Sequence, residues 1–276
     1  MSLERRLADE LVREHPERAA SVLERLGVAE TARVLSRTPA HEAAPLLRRM
    51  SPQFSAQVLE SLGVERIAGV LEVLPLDVAS RLARRLPTGP QTEALEAVGA
   101  GLARALRSLL SFPENSAGAL MDPNVLALPE DLSAREALVR IRAAPENARY
   151  NVYIVDREQR LVGAVNLREL LLARPRSRLA DLMVRDPLRL DARADRSAVV
   201  DHPGWKEVHA LPVVDEHGAY LGAIRYRTLR ALEEELLRGR AEDGDAREAL
   251  GELFSAAAGG LLDALTTPGG SRTGGR

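Results

Sequence analysis

Few side chains in this sequence stand in a pattern that performs covalent chemistry. The five histidines, His15, His41, His202, His209 and His217, lack metal-ligand spacing of the HExxH kind. Serine and histidine occur without a local nucleophile motif, and no glycine-rich phosphate loop follows a predicted strand. There is no cysteine, so disulfides and thiolate metal sites are excluded. The expectation is a protein that is not an enzyme. What remains is the run Gly163-Ala-Val-Asn166-Leu-Arg168-Glu169, where a strand gives way to a helix. The guanidinium fork of Arg168 suits a phosphate. Equally, Arg168 and Glu169 suit the solvated opening of a helix, where an acid complements the dipole. Other acids, Glu233-Glu234-Glu235 and Asp243/Asp245, read as a solvated helix face.

The elements that position this run are written twice. Residues from Asn151 to Leu170 recur from His209 to Leu229, so that Asp156 answers Asp215 and Gly163 answers Gly222, both at an offset of 59 without a gap. Each copy has an apolar run, an Asp-centred polar turn, a second apolar run ending in Gly-Ala, then apolar residues three and four apart. That is strand, tight turn, strand, helix. A shorter strand and a helix precede each copy: Val125–Leu128 with Leu132–Arg142, and Pro187–Leu190 with Ala194–His202. Two tandem β-α-β-β-α units follow. In the second, Pro203-Gly204 breaks the helix and sets Trp205 just before Val208, where it could plug a cleft.

Upstream, a shorter beat runs through residues 15–87. Ala20, Ala32, Ala44, Ala56 and Ala68 fall twelve apart, as do Leu23, Leu35, Leu47, Leu59 and Leu71. Pro16, Gly27, Pro39, Pro52, Gly63, Pro75 and Pro87 punctuate it. Each unit is two helical turns with one apolar face, too short to stand alone in water. The units must stack, which predicts a small right-turning α-solenoid. Pro87–Pro90 reads as a break, Gln91–Leu110 as one longer amphipathic helix, and Ser111–Gly118 as a hinge.

Composition sets the bounds. A chain of 276 residues with 45% hydrophobic content has ample core, and 3% aromatic content makes that core of Leu, Val and Ala. Lys206 is the one lysine; the bias to arginine reflects codon composition more than partners. A net charge of −2 gives no footprint for nucleic acid. The amino terminus lacks an apolar signal core. No window reaches the roughly 18 to 20 apolar residues of a membrane span; the best candidate, Leu253–Leu265, is short and interrupted by Asp263. A cytoplasmic location is expected.

The twice-written module resembles tandem CBS domains. The stretches SFPENSAGALMDPNVLAL and YIVDREQRLVGAVNLRELLLARPRSRLADLM resemble, more narrowly, the cytosolic part of MgtE-type magnesium transporters. The resemblance covers roughly residues 10–236 and is most specific over 112–183. It implies a multidomain α+β protein: an all-α superhelical domain over 1–110, a hinge over 111–118, CBS domains over 119–183 and 184–237, and a weak helix (Ala246–Leu265) and disordered tail within 238–276. It also implies an adenine nucleotide, ATP or AMP, in the cleft between the CBS domains. In the family signature G-x-x-[S/T]-x-x-D, the hydroxyl meets phosphate and the carboxylate takes the ribose hydroxyls. The first copy keeps an acid as Glu169 and has Asn166 for the hydroxyl; the second, Gly222-Ala-Ile-Arg225-Tyr-Arg227-Thr228, has no acid. The nucleotide residues implied are Asn151, Asn166, Arg168, Glu169, Val208 and Pro212.

For Mg²⁺, the resemblance implies acids shared between helical domain and CBS pair. Glu65, Asp195 and Glu207 keep them, while Gly69, Ser197, Thr228, Ala231 and Leu236 stand where others are expected, and Arg227 adds a positive charge. The function implied is non-catalytic regulation, in which nucleotide or Mg²⁺ moves the helical domain against the CBS pair, with a homodimer formed through CBS helices. Alternatives are a protein-interaction scaffold with a degenerate CBS dimerisation module, the helical domain binding a protein partner, or a separately encoded piece of a magnesium transporter that meets a membrane subunit.

Overall fold

The twelve-residue beat sets the helical half. The computed structural model describes residues 14–148, 150–234 and 236. Residues 16–110 fold into eight helices: α1 (Pro16–Leu26), α2 (Val28–Leu35), α3 (Ala40–Leu47), α4 (Pro52–Glu60), α5 (Val64–Val73), α6 (Leu76–Arg85), α7 (Thr88–Ala97) and α8 (Ala100–Leu110). All five alanines and all five leucines of the beat are buried. Each helix packs on the next but one, α1 on α3 and α2 on α4, through to α6 on α8. Methyl groups at the contact positions let the axes close up, and one continuous apolar core results.

Polar devices follow the same beat. Thr31 Oγ1 donates to the Leu23 carbonyl (2.7 Å), Ser55 Oγ to that of Leu47 (2.8 Å) and Gln91 Nε2 to that of Ala83 (2.6 Å). Each reaches the end of the preceding helix, and the donors are spaced by whole multiples of twelve. Thr31 and Ser55 are fully buried, so these bonds also satisfy their hydroxyls. Two acids cap the third helix on: the Glu24 carboxylate accepts from the Ser51 N–H at 2.6 Å, and that of Glu72 from the Gly99 N–H at 3.0 Å.

Two expectations for this half are corrected. Residues 91–110 are not one helix: α7 ends at Ala97, buried Val98 adopts an extended conformation, and Gly99 caps α8 with its N–H held by Glu72. Nor is Pro87–Pro90 a break. Pro87 caps α7 and Pro90 lies in its first turn, where a missing N–H leaves no bond unmade.

Beyond α9 (Ala117–Leu120) come two sheets. The first holds β1 (Ala127–Pro129), β2 (Asn151–Val155), β3 (Leu161–Asn166) and β4 (Val184–Arg185) in that order, with β1 parallel to β2 and the other pairs antiparallel. The second holds β5 (Leu190–Asp191), β6 (Ala210–Val214) and β7 (Tyr220–Arg225), with β5 parallel to β6. Helices α10 (Ala134–Ala143), α11 (Leu167–Leu172), α12 (Leu179–Leu182) and α13 (Arg196–Val200) complete the two repeats. The α10 and α13 starts fall two residues later than expected because Ser133 and Asp195 cap them. Ser133 and Glu136 form a reciprocal capping box. β1 and β5 likewise begin later than read, at Ala127 and Leu190. After Val200, the Pro203–Gly204 break yields a 3₁₀ turn, Pro203–Lys206.

The chain divides into Met1–Tyr226 and Arg227–Arg276; the described residues of the second part, 227–234 and 236, are helical. Residues 1–13 and the expected helix and tail within 238–276 lie outside the described residues.

Enlarging a contact methyl tests the stacking. Ala44→Leu at 4% exposure should destabilise the chain by about 1–3 kcal/mol in urea unfolding. Ala97→Leu, on an exposed face of α7, should stay within about 0.5 kcal/mol of the parent.

Candidate functional site

The two αβ repeats exchange their lead-in segments. Asp122, ahead of the first repeat, pairs with Ala223 on β7: its N–H donates to the Ala223 carbonyl (2.8 Å) and its carbonyl accepts from the Ala223 N–H (3.2 Å). β4, ahead of the second repeat, lies on β3 with Val184 opposite Ala164. Ala164 and Ala223 are themselves 59 apart. The glycines just before them make room. A β-carbon on Gly163 would meet Met183 Cγ at 2.8 Å and Cβ at 2.9 Å, and one on Gly222 would meet the Asp122 carbonyl oxygen at 2.7 Å and Pro123 Cα at 2.9 Å. Each Gly-Ala pair thus receives the other repeat's backbone.

The repeats also bond directly, twice in the same way. The Leu161 N–H donates to the Gly218 carbonyl (3.0 Å), and the Tyr220 N–H to that of Gln159 (2.9 Å). Tyr153 and Tyr220 lie beside this contact, ring centroids 5.3 Å apart. Their hydroxyls donate to the carbonyls of Ala210 (2.9 Å) and Val125 (3.0 Å). Burial raises both phenols well above their ordinary range, so they stay protonated donors. The Asp-centred turns match as well: Asp156 Oδ1 accepts from the N–H groups of Glu158 (3.0 Å) and Arg160 (2.8 Å), and Asp215 Oδ1 from those of His217 (2.9 Å) and Ala219 (2.8 Å).

At one end of this contact lie most of the residues assigned to a nucleotide. Asn151 opens β2 directly opposite Asn166, the last residue of β3. Asn166 caps α11, its Oδ1 accepting from the Arg168 N–H at 2.9 Å. Arg168 and Glu169 are exposed on the first turn of that helix. From the second repeat, the His209 ring lies tilted against Tyr150 with centroids 4.8 Å apart. That contact joins the strand end bearing Asn151 and Asn166 to the loop bearing half-buried Val208. Pro212 is buried within β6, opposite Ala223. Sequence reading missed the continuing ring series: His209 stands edge-on to Tyr226 (6.2 Å), and Tyr226 to Trp205 (6.4 Å). The signal was available in composition, since five of the eight aromatic residues of the chain fall in these repeats. Trp205 is tethered to its own repeat, its Nε1 donating to the Val199 carbonyl at 2.6 Å.

The three acids assigned to magnesium are not gathered. Glu65 is exposed on the first turn of α5. The Asp195 carboxylate is spent on capping α13, accepting from the Ala198 N–H and from Ser197 Oγ, each at 2.8 Å. Those two bonds hold its pKa below the ordinary aspartate value. Glu207 is exposed beyond the 3₁₀ turn. Among the described residues, no group of three or more His, Asp or Glu side chains is placed to hold a metal ion. Mg²⁺ takes near-octahedral oxygen donors, and the residues present do not fit it. An open groove of about 600 Å³ on the helical half does not supply them either, since Glu42 is its one acid beside His41, Arg48 and Arg49.

The two glycines offer a graded test of the exchange. Gly222→Ala drives a methyl into backbone, so it should cost about 1–3 kcal/mol by urea unfolding. Gly163→Ala meets a flexible methionine and should cost distinctly less. Equal, negligible losses would refute the close-approach role.

Comparison with known proteins agrees with this architecture. Residues 14–115 match the family described as the MgtE intracellular N domain, and residues 117–176 match the CBS domain. The magnesium transporter MgtE of Thermus thermophilus is 33% identical over 121 residues, which is 43% of this chain and 27% of that protein. The corresponding Bacillus subtilis transporter is 27% identical over 124 residues, 44% of this chain and 28% of that protein. The matches therefore span about a quarter of the length of these relatives. A crystal structure of the cytosolic domain of the Mg²⁺ channel MgtE in complex with ATP superposes with a TM-score of 0.65 at 28% identity, covering 81% of this chain and 92% of that one. Among the described residues no helix is long and apolar enough to cross a membrane. The chain thus carries a match to the MgtE intracellular N domain followed by a match to a CBS domain, and its fold is similar to that of the MgtE cytosolic domain.

Proposed function

We propose that the chain is a non-catalytic regulatory module in which an adenine nucleotide, ATP or AMP, binds the cleft at Asn166 and shifts the helical half against the CBS repeats. Glu169 takes the ribose hydroxyls and Arg168 the phosphates, while Asn151, Val208 and Pro212 border the base. One observation carries the coupling: the polar ligand residues and the helical anchor sit on different repeats, with Val208 and Pro212 on the second repeat. The polar ligand residues are on the first repeat. The chain leaving the helical half is bonded to the second, through the Ala117 N–H to the Ala194 carbonyl and the Gly118 N–H to the Ala192 carbonyl, both 2.8 Å. A ligand that braces one repeat against the other moves that anchor. The ATP complex of the similar MgtE cytosolic domain supports the choice of ligand.

Thermal unfolding tests this reading. ATP or AMP at a hundredfold excess over Kd should stabilise the chain by about 2.7 kcal/mol. Glu169→Ala should lose most of that gain without changing the ligand-free midpoint. Mg²⁺ alone should leave the midpoint where it is. No shift with either nucleotide would remove the proposal.

The same reading includes a homodimer through CBS helices. α10 and α11 pack together and present Val139 (59% exposed), Leu171 (58%) and Leu172 (77%) to solvent, and exposed apolar side chains on packed helices are the kind of surface that marks association. Light scattering should return a dimer for the parent chain and a folded monomer for Leu172→Glu. A monomeric parent at micromolar concentration would rule the dimer out.

A further inference from the structure

The internal twofold match gives the two repeats equivalent strand ends of unlike content, each bordering one of the two clefts that the nucleotide reading implies. In the first, Asn166 at the end of β3 is exposed, and its side chain folds back onto its own helix. In the second, the same register position is Arg225: it faces Ala210 across β7 and β6 as Asn166 faces Asn151 across β3 and β2. Its side chain does not fold back. It spans to the first repeat, where Nη1 and Nη2 each donate to the Glu146 carbonyl at 3.2 Å, and Nη2 lies 3.0 Å from Asp122 Oδ2. The ion pair is largely sheltered, with side-chain exposures of 14% for Arg225 and 23% for Asp122. Asp122 is itself fixed to β7 by its paired backbone bonds to Ala223, and Glu146 lies in the 3₁₀ turn Pro145–Asn147 of the first repeat.

We infer that Arg225 is a built-in occupant of the second cleft, which closes that cleft between the repeats and limits the chain to one bound nucleotide. Arg225 holds the sequence position at which the CBS signature has a phosphate-facing hydroxyl. It meets a carboxylate and a carbonyl that neutralise and satisfy it. A phosphate arriving there would have to displace Asp122 from a charge-assisted bond and then face its carboxylate. The planar fork suits this span in a way a point charge does not, since one group contacts two acceptors on separate segments. The stoichiometry rests on the nucleotide reading above; the closure does not.

Two measurements on the full chain separate these parts. In hydrogen exchange without ligand, Arg225→Ala should speed exchange over residues 122–126 and 145–148 by about tenfold or more, because the tie between those segments is gone. Arg225→Lys, which keeps the charge but not the fork, should give an intermediate increase, and it serves where the alanine variant does not fold. Unchanged exchange in both variants would overturn the closure. Calorimetric titration of the parent chain with ATP should give one site per chain, and two would overturn the inference. If the parent binds no ATP at all, the nucleotide reading fails, and hydrogen exchange alone still decides whether Arg225 closes the second cleft.

Discussion

Everything in the αβ half depends on a reciprocal backbone exchange. Neither repeat completes its surroundings alone. β3 takes β4 from the lead-in of the second repeat, and β7 takes Asp122 from the lead-in of the first. Two N–H to carbonyl bonds, Leu161 to Gly218 and Tyr220 to Gln159, tie the hairpins at the centre. Backbone bonds of this kind are indifferent to side-chain identity, except where a β-carbon would block the approach. At Gly222 the blocked approach is that of backbone, at Gly163 that of the Met183 side chain, while the strand-end residues beyond them diverge. The strand ends are equivalent by this geometry, and the side chains that stand there, Asn166 in one repeat and Arg225 in the other, differ in what they can hold.

The helical half solves the opposite problem. Its helices are too short to persist alone, and none has a β-partner to lean on. Stability comes from regular stacking on the next helix but one, with alanine at the contact and leucine behind it. Because the alternate layers are offset, hydroxyl and amide donors reach the last carbonyls of the preceding helix, and Glu24 and Glu72 reach the third helix on. The junction is not a loose string. Ser116 is buried and caps α9, the Phe112 ring covers Gly118, and Arg85 of α6 pairs with Glu114 at 3.1 Å. The chain thus passes from one body to the next through a segment bonded at both ends.

How much of this the sequence disclosed follows from the range of the interactions concerned. Periodic burial is local, so the twelve-residue alanines and the 59-residue echo were legible and match the buried positions and the hairpin turns. The break at Val98–Gly99 was not legible. The apolar spacing runs on through it, and its cause is a carboxylate from Glu72, twenty-seven residues upstream. β4 escaped notice because two residues paired only through exchange have no pattern of their own. Among the site residues, Asn151, Asn166 and Val208 are brought close by register and by the Tyr150–His209 contact. The acids Glu65, Asp195 and Glu207 were carried over from the family resemblance position by position, and among the described residues no group of three such side chains is placed to hold a metal ion. The helix-capping use of Asp195 could have been read from Asp195-Arg-Ser-Ala as a start signal.

The ion pairs at the junctions bear on how charge is balanced. Where carboxylates face one another, a divalent cation relieves their repulsion, and its departure lets the bodies separate. Here the acids at the junctions already have partners from the chain itself: Glu114 has Arg85, Asp122 has Arg225, and Asp186 has Arg189 at 2.6 Å. Such pairs are individually modest, about 0–1 kcal/mol where solvent reaches them, and salt weakens them. Their significance lies elsewhere. A guanidinium tethered to the backbone cannot dissociate into solution, so a charge balance made this way does not depend on the capture of a free divalent cation. If the molecule reports on a solute, the reporting must fall to side chains that are not already paired within the fold. At the first cleft these are Arg168 and Glu169, exposed on a helix whose capping bonds come from Asn166 and do not use them.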